Sequence, residues 1–177
     1  MSISLYDAVV RTYAQFLPGV EQCLQKGRDH FESLGRDPNA LVDSRIYPDM
    51  LPLHFQIVTL VHMSTGAVRT VGESGIFGAP DLTLSFDYAG LQGHVREARA
   101  EIEAVDAAEF DDLAGGTVTF RAGDVTLRFT TEDFFLSFCV PHFYFHTTTA
   151  YDLLRLAGVP LGKADFLGAA RTMPDPS

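Results

Sequence analysis

FFLSFCVPHFYFHTTTAYDLLR, residues 134–155, is the most aromatic stretch of the chain and contains two of its six histidines. His142 and His146 are spaced i, i+4, and residues four apart in a helix lie on one face, one turn from each other. Two imidazoles in this arrangement can share a proton network or a metal ion. Pro141 falls within the stretch, so we expect a bend or a local break immediately before His142. The rest of the chain is predicted to be organised around this helix.

The length and composition are those of one globular domain. A chain of 177 residues can bury a core without help from disulfides or metal ions. Its content of 46% hydrophobic and 20% charged residues is ordinary for a globular protein. The formal net charge is -10, and no dense stripe of Lys and Arg offsets it. Nucleic acid and anionic membrane are therefore poor partners, and no run of 18 apolar residues predicts a membrane span. We expect a single domain over residues 1–171 and a disordered tail over residues 172–177.

The two cysteines, Cys23 and Cys139, are far apart and stand in apolar surroundings. Their spacing matches no CxxC or finger-like motif, so we interpret them as small core residues in a reducing compartment, with a structural disulfide as the alternative. Asp7 and Arg11 interrupt the first apolar stretch, which argues against a secretory signal peptide. These features predict a cytoplasmic protein.

Two long helices are predicted in the first half of the chain from apolar residues at steps of three and four. The first spans residues 5–35 and opens at a capping box that begins at Ser4. Pro18 falls inside it and should kink the helix or open a turn. The second spans residues 50–71, with Asp49 as its cap.

Two further helices and a hairpin are predicted in the second half. The third helix spans residues 86–107 behind a Ser85 cap, after a loop. Residues 115–129 alternate between apolar and polar side chains around a Gly-Asp turn, which indicates a β-hairpin. The fourth helix opens at a capping box that begins at Thr130 and stops at Gly158. The predicted fold is all-α, a four-helix bundle with a small β-hairpin inserted before the last helix.

The last helix and the residues after it also resemble a known family. The matching motifs are Phe143-Tyr144-Phe145-His146, Thr149-Ala150-Tyr151, Leu154-Arg155, Gly158-Val159-Pro160-Leu161-Gly162-Lys163 and Asp165-Phe166-Leu167-Gly168, with Pro48-Asp49-Met50, Pro52-Leu53 and Gln56 earlier. This pattern is similar to the signature of a DinB-like family labelled only as a domain of unknown function. The resemblance covers essentially the whole chain and implies the DinB/YfiT-like four-helix bundle.

The resemblance also implies a candidate metal site. Members of that superfamily bind a divalent metal through three histidines, one on the second helix and an HxxxH pair on the fourth. His142 and His146 match the pair, His62 is the natural third ligand, and His54 is the fallback. In this family an Asn commonly stands at the position of His142 and an Asp at that of His62. The triad therefore marks either a retained metal site or polar positions tolerated in a pocket.

Further polar residues in the matching motifs are candidates for ligand binding. Side chains of this kind can line the pocket or orient the histidines. The candidates are Asp49, His54, Gln56, Tyr151 and Arg155. Three of them also have a structural interpretation: Asp49 as a helix cap, Arg155 as a charge near the C-terminal end of its helix that can pair with Asp49, and Tyr151 as a core aromatic. His146 itself can be a buried histidine bonded to a carboxylate such as Asp49.

Two classes of function follow. The first is an enzyme that depends on a divalent metal (zinc, nickel or iron), of the thiol-dependent transferase or hydrolase type, acting on a small molecule in the bundle core. The second is a non-catalytic domain that binds a small molecule or dimerises without a metal. The aromatic residues of the fourth helix are too many for one buried stripe. Either the helix is covered on most sides, or an exposed apolar face pairs with a second subunit in a homodimer.

Overall fold

Residues 3–173 are described by the computed structural model, and they are mostly helical with a small three-stranded sheet. This coarse class agrees with the prediction, although the sheet has one strand more than the expected hairpin. The last four residues of the predicted tail lie outside the described range. The helices are α1 (Leu5–Ala8), α2 (Val10–Ser33), α3 (Leu53–Val61), α4 (Ala67–Glu73), α5 (Tyr88–Glu103), α6 (Ala107–Asp111), α7 (Thr131–Asp133), α8 (Val140–Leu156) and α9 (Lys163–Leu167), with a 3-10 turn at Pro38–Leu41.

The first helical segment begins as predicted but breaks at a different residue. The Ser4 hydroxyl accepts a hydrogen bond from the amide of Asp7 and caps α1. The interruption between α1 and α2 falls at Val9, and α2 continues through Pro18. Its C-terminal end lies at Gly35, which has a positive φ of 64° that favours glycine.

The second and third helical segments start at residues other than those predicted. Asp49 is exposed in a turn and caps no helix, so α3 begins at Leu53, directly after Pro52. The predicted cap Ser85 is replaced by Asp87, whose carboxylate accepts from the amide of Gly90 at 2.7 Å.

The sheet consists of the predicted hairpin and one strand that the sequence did not reveal. Strands β2 (Thr117–Ala122) and β3 (Val125–Thr130) pair antiparallel, and the turn between them contains Gly123. Strand β1 (Ile76–Gly78), predicted as a loop, pairs parallel with β2. A three-residue strand is too short to display alternation, which explains why the pattern did not indicate it.

The fourth helical segment is continuous, but part of it is a wider helix. The Thr130 hydroxyl caps α7 by accepting from the amide of Asp133, and α8 ends just before Gly158. Between α7 and α8 the chain forms a π-helix over Phe134–Cys139. The proline ring of Pro141 would collide with a carbonyl four residues earlier in a regular helix, and the wider turn precedes it. The irregularity that was expected before His142 is therefore a π turn. A second π turn, His62–Gly66, joins α3 to α4.

The long helices pack as neighbours around one apolar core. Helix α2 contacts α5 and α8, and α3 contacts the same two helices from the other side. Helix α9 is held on α2 by an ion pair of 2.6 Å between Lys26 and Asp165 and by Phe166 against Phe16. Within residues 3–173 the structure contains no helix with the length and apolar character required to cross a membrane.

Candidate functional site

His142 and His146 lie next to each other on α8, as their spacing predicted. Their ring centroids are 6.4 Å apart and the ring planes differ by only 22°. His146 is buried and His142 is half-buried. The edges of Phe55 and Phe145 contact the ring of His146, with centroids 5.7 Å and 5.2 Å away. The pair is thus partly shielded from water.

Gln56 fixes the proton position on His146. The Gln56 side-chain nitrogen donates to the carbonyl oxygen of Leu51 at 2.8 Å, which turns its oxygen towards His146. That oxygen lies 2.7 Å from His146 Nδ1. Because an amide oxygen only accepts, Nδ1 carries the hydrogen and the lone pair of the neutral ring is on Nε2.

His142 is oriented in the same sense by the backbone. Its Nδ1 lies 2.7 Å from the carbonyl oxygen of Phe138, at the C-terminal part of the π turn. A carbonyl can only accept, so this nitrogen is the donor and Nε2 again holds the lone pair. Both histidines of the pair therefore have the same tautomer.

The protein environment keeps His146 in its neutral form. Burial, and to a smaller extent charge repulsion from the neighbouring His142, lowers the pKa of His146 to about 4. At neutral pH the Nε2 lone pair is therefore unprotonated. A neutral imidazole with an oriented Nδ1–H can act as a metal ligand or as a proton acceptor.

The recorded contacts of His62 are with residues other than the pair. Its Nε2 donates to the carbonyl oxygen of Gly78 at 2.8 Å, and its ring stacks on Phe77 with centroids 4.3 Å apart. The other nitrogen, Nδ1, faces Gly66 of its own helix, where an added Cβ would lie only 3.1 Å away. Across residues 3–173 no group of three or more His, Cys, Asp or Glu side chains is placed to hold a metal ion.

Of the remaining predicted ligand-binding residues, only Gln56 contacts the pair. His54 accepts from the backbone amide of Phe86 through Nε2, at 3.1 Å. Tyr151 packs its ring edge-on against Phe166, with centroids 5.8 Å apart. His54 and Tyr151 thus have structural contacts that account for their positions.

The expected contacts of Asp49 are wrong. Arg155 is hydrogen-bonded to the carbonyl oxygen of Val159 at 2.8 Å, and in the described part of the chain it forms no ion pair with Asp49. The bond from His146 that was considered for Asp49 goes to Gln56 instead. Asp49 is exposed in a turn.

A second feature, which the sequence did not indicate, is a cleft of about 350 Å³ between α3–α4 and α5. Its lining residues are Val58, Val61, His62, Thr65, Gly66, Arg69, Asp81, Leu84, His94, Glu97, Ala98 and Glu101. Charged residues such as Glu97 and Glu101 on α5 are typical of a solvated helix face, so the sequence does not indicate a cleft there. The only sequence signal was a histidine within an otherwise charged face.

Comparisons with known proteins give a consistent result. The model of a family described as "Domain of unknown function (DUF1993)" matches residues 5–167. A crystal structure of a DinB family member from Shewanella denitrificans is similar, with a TM-score of 0.76 and 25% identity. The match covers 96% of this chain and 95% of that one. Among curated proteins no match was found.

Proposed function

Because the chain belongs to the DUF1993 family and shares its fold with a DinB family member, we propose that it binds a divalent cation through the Nε2 atoms of His142 and His146. We place this site in a four-helix bundle of the DinB/YfiT-like type. Zinc, nickel and iron are the candidate ions, since all three accept imidazole ligands.

One observation carries this proposal: both Nδ1–H groups of the pair are hydrogen-bonded to oxygen atoms. His146 donates to Gln56 and His142 to the carbonyl of Phe138, each at 2.7 Å. Histidines that bind metals usually donate their second ring nitrogen to an oxygen in this way, which fixes the tautomer and raises ligand basicity. His142 and His146 are therefore suited to serve as two of the three metal ligands that were expected.

His62 does not fit as the third ligand in its present position. Its Nε2–H is bonded to Gly78 and its Nδ1 faces Gly66. The remaining coordination positions would then go to water or substrate, which is the arrangement of a catalytic rather than a structural site. When bound, such a cation would lower the pKa of a coordinated water or thiol towards neutral pH, which supports an enzyme of the thiol-dependent transferase or hydrolase type.

Metal titration of untagged, chelator-treated protein tests the proposal. We expect His142→Ala and His146→Ala each to weaken zinc or nickel affinity about a hundredfold, and Gln56→Leu about tenfold. His62→Ala is the matched control and should leave the affinity within about twofold of the parent. The measurement is isothermal titration calorimetry, with the metal content of the purified protein as a second readout.

Two results would contradict the metal proposal. Less than about a tenth of a metal per chain, unchanged in His142→Ala, would favour the alternative of a non-catalytic small-molecule-binding domain. A loss of affinity in His62→Ala as large as that in His146→Ala would instead restore the three-histidine site and reject the two-ligand assignment.

We also propose that a second copy of the chain covers the outer face of α8. Phe145 is 57% exposed and Leu156 is 70% exposed, and eleven residues, about three helical turns, place them on one face. Ile46 lines the same shallow depression as Leu156. Exposed aromatic and aliphatic side chains grouped in this way favour a protein interface.

Light scattering at micromolar concentration checks this dimer. The parent protein should have the mass of two chains, and Phe145→Glu should have the mass of one, because the carboxylate cannot be buried unpaired. Leu34→Glu, an exposed apolar position at the end of α2, is the control and should remain a dimer. A parent protein with the mass of a single chain would refute the proposal.

A cytoplasmic location is the last part of the proposal, and the cysteines support it. Cys23 and Cys139 are both buried and unbridged. Burial raises the pKa of Cys23 to about 12 and also raises that of Cys139. Thiols in this state are unreactive core residues, typical of proteins of a reducing compartment.

A further inference from the structure

The cleft between α3–α4 and α5 is a concave surface with several charged and polar side chains in its lining. Its volume of about 350 Å³ lies within the range of small-molecule sites. One wall comes from the π turn His62–Gly66 and the helices on either side of it. The other wall comes from α5, and residues 81 and 84 lie at the rim. Neither His142 nor His146 lines it, so the cleft is separate from the histidine pair.

The charges in the cleft favour a cation. Three carboxylates line it, those of Asp81, Glu97 and Glu101, against the single guanidinium of Arg69. Arg69 lies 3.7 Å from Glu101, and Asp81 accepts hydrogen bonds from Thr83. Of these three carboxylates, Glu97 is the one with neither an ion pair nor a hydrogen bond within residues 3–173. Its negative charge is therefore available to a ligand.

The two histidines of the cleft do not offset this negative charge. Burial lowers the pKa of His62 and also that of His94, although Glu97 and Glu101 act on His94 in the opposite direction. Both rings are therefore neutral at pH 7. His94 stacks on Phe86 with centroids 4.9 Å apart, which holds the ring as a flat wall beside the carboxylates.

The floor of the cleft combines apolar surface with one unused polar group. Val58, Val61 and Ala98 are buried and contribute aliphatic surface. Thr65 is only 5% exposed, and its hydroxyl oxygen makes no hydrogen bond within the described residues. A buried hydroxyl without a partner is costly, and a hydrogen-bond donor on a ligand would remove that cost.

We propose that this cleft binds a small organic amine in its ammonium form. Glu97 supplies the counter-charge, Thr65 supplies an acceptor for an ammonium N–H, and the aliphatic floor contacts the carbon skeleton. A linear aliphatic diamine satisfies all of these features, because a second ammonium group can reach the carboxylates at the rim. The site does not depend on the proposed cation at the histidine pair.

Calorimetric titration of 1,4-diaminobutane into chelator-treated, full-length protein tests this site. We expect one site per chain, weakened about fivefold to tenfold in Glu97→Gln and about threefold in Thr65→Val. Glu97→Lys should weaken binding by more than about thirtyfold, because it adds a repulsive charge. The chelator removes metal, so a failure here and a failure of the metal proposal are separate results.

Two controls distinguish specific binding of the diamine in the cleft from its general attraction to an acidic protein. Glu109→Gln removes the same charge from α6, outside the cleft, and should leave the affinity within about twofold of the parent. The uncharged isostere 1,4-butanediol should not bind. Equal weakening by Glu97→Gln and Glu109→Gln, binding of the diol, or no heat with the diamine at about 10 mM would each overturn the proposal.

Discussion

Phe134→Ala should lower the free energy of unfolding by about 3–5 kcal/mol, which is the cost typical of a deleted core phenylalanine. Phe134 is fully buried and joins the small sheet to the last helix. Its ring centroid lies 5.2 Å from Phe77 of β1, 5.9 Å from Phe129 of β3 and 5.8 Å from Phe138. Truncation removes aromatic contacts to two strands and to the π turn at once.

Chemical denaturation of the variant, compared with Leu136→Ala, measures this effect. Leu136 belongs to the same helical segment but is 49% exposed and lies outside the proposed dimer face, so its truncation should cost less than about 1 kcal/mol. Comparable losses for the two variants would mean that the aromatic cluster around Phe134 does not stabilise the fold as its burial implies.

Gly27→Ala should lower the free energy of unfolding by about 2–3 kcal/mol, even though alanine is the better helix former. A Cβ at this position of α2 would lie 2.3 Å from the hydroxyl oxygen of Tyr88 and 3.1 Å from Leu154. Tyr88 is buried and donates to the carbonyl of Leu24 at 2.8 Å. The added methyl must therefore break that bond or separate α2 from α5.

A matched control and a rescue variant separate this clash from other effects. Gly93 of α5 has nothing within 4 Å of an added Cβ, so Gly93→Ala should be neutral or stabilise by up to about 1 kcal/mol. Tyr88→Phe removes the oxygen that the methyl meets, so the double variant Gly27→Ala/Tyr88→Phe should be less destabilised than the two single effects combined. Simple additivity in thermal or denaturant unfolding would argue against the clash.

Some features of the fold that depend on local sequence were predicted correctly, whereas the caps expected at Asp49 and Ser85 were wrong. Ser4 and Thr130 cap their helices because a hydroxyl reaches an amide three residues away, and Gly158 ends α8 because it adopts a positive φ. These signals lie within a few residues of the structure that they determine. Strand β1 was missed because it exists only through pairing with β2, about forty residues later in the chain.

The same distinction applies to the candidate site: features set by local sequence could be predicted, and features set by distant contacts could not. The adjacency of His142 and His146 follows from helical spacing, so the sequence predicts it directly. The partner of His146 is Gln56, 90 residues earlier, and helical periodicity cannot choose between Gln56 and Asp49 for that role. The position of His62 depends likewise on contacts with Phe77 and Gly78, in a segment that was predicted to be a loop.

The π turn at Phe134–Cys139 also sets the angular phase of the last helix. In a regular helix, Phe134 and Phe143 would project in opposite directions, because nine residues at about 100° each amount to two and a half revolutions. Both are nevertheless fully buried. One extra residue in a wide turn subtracts about 100° from that angle and brings the two rings towards a common side. The extra residue of the π turn thus allows the aromatic part and the histidine part of the last helical segment to face the same protein core.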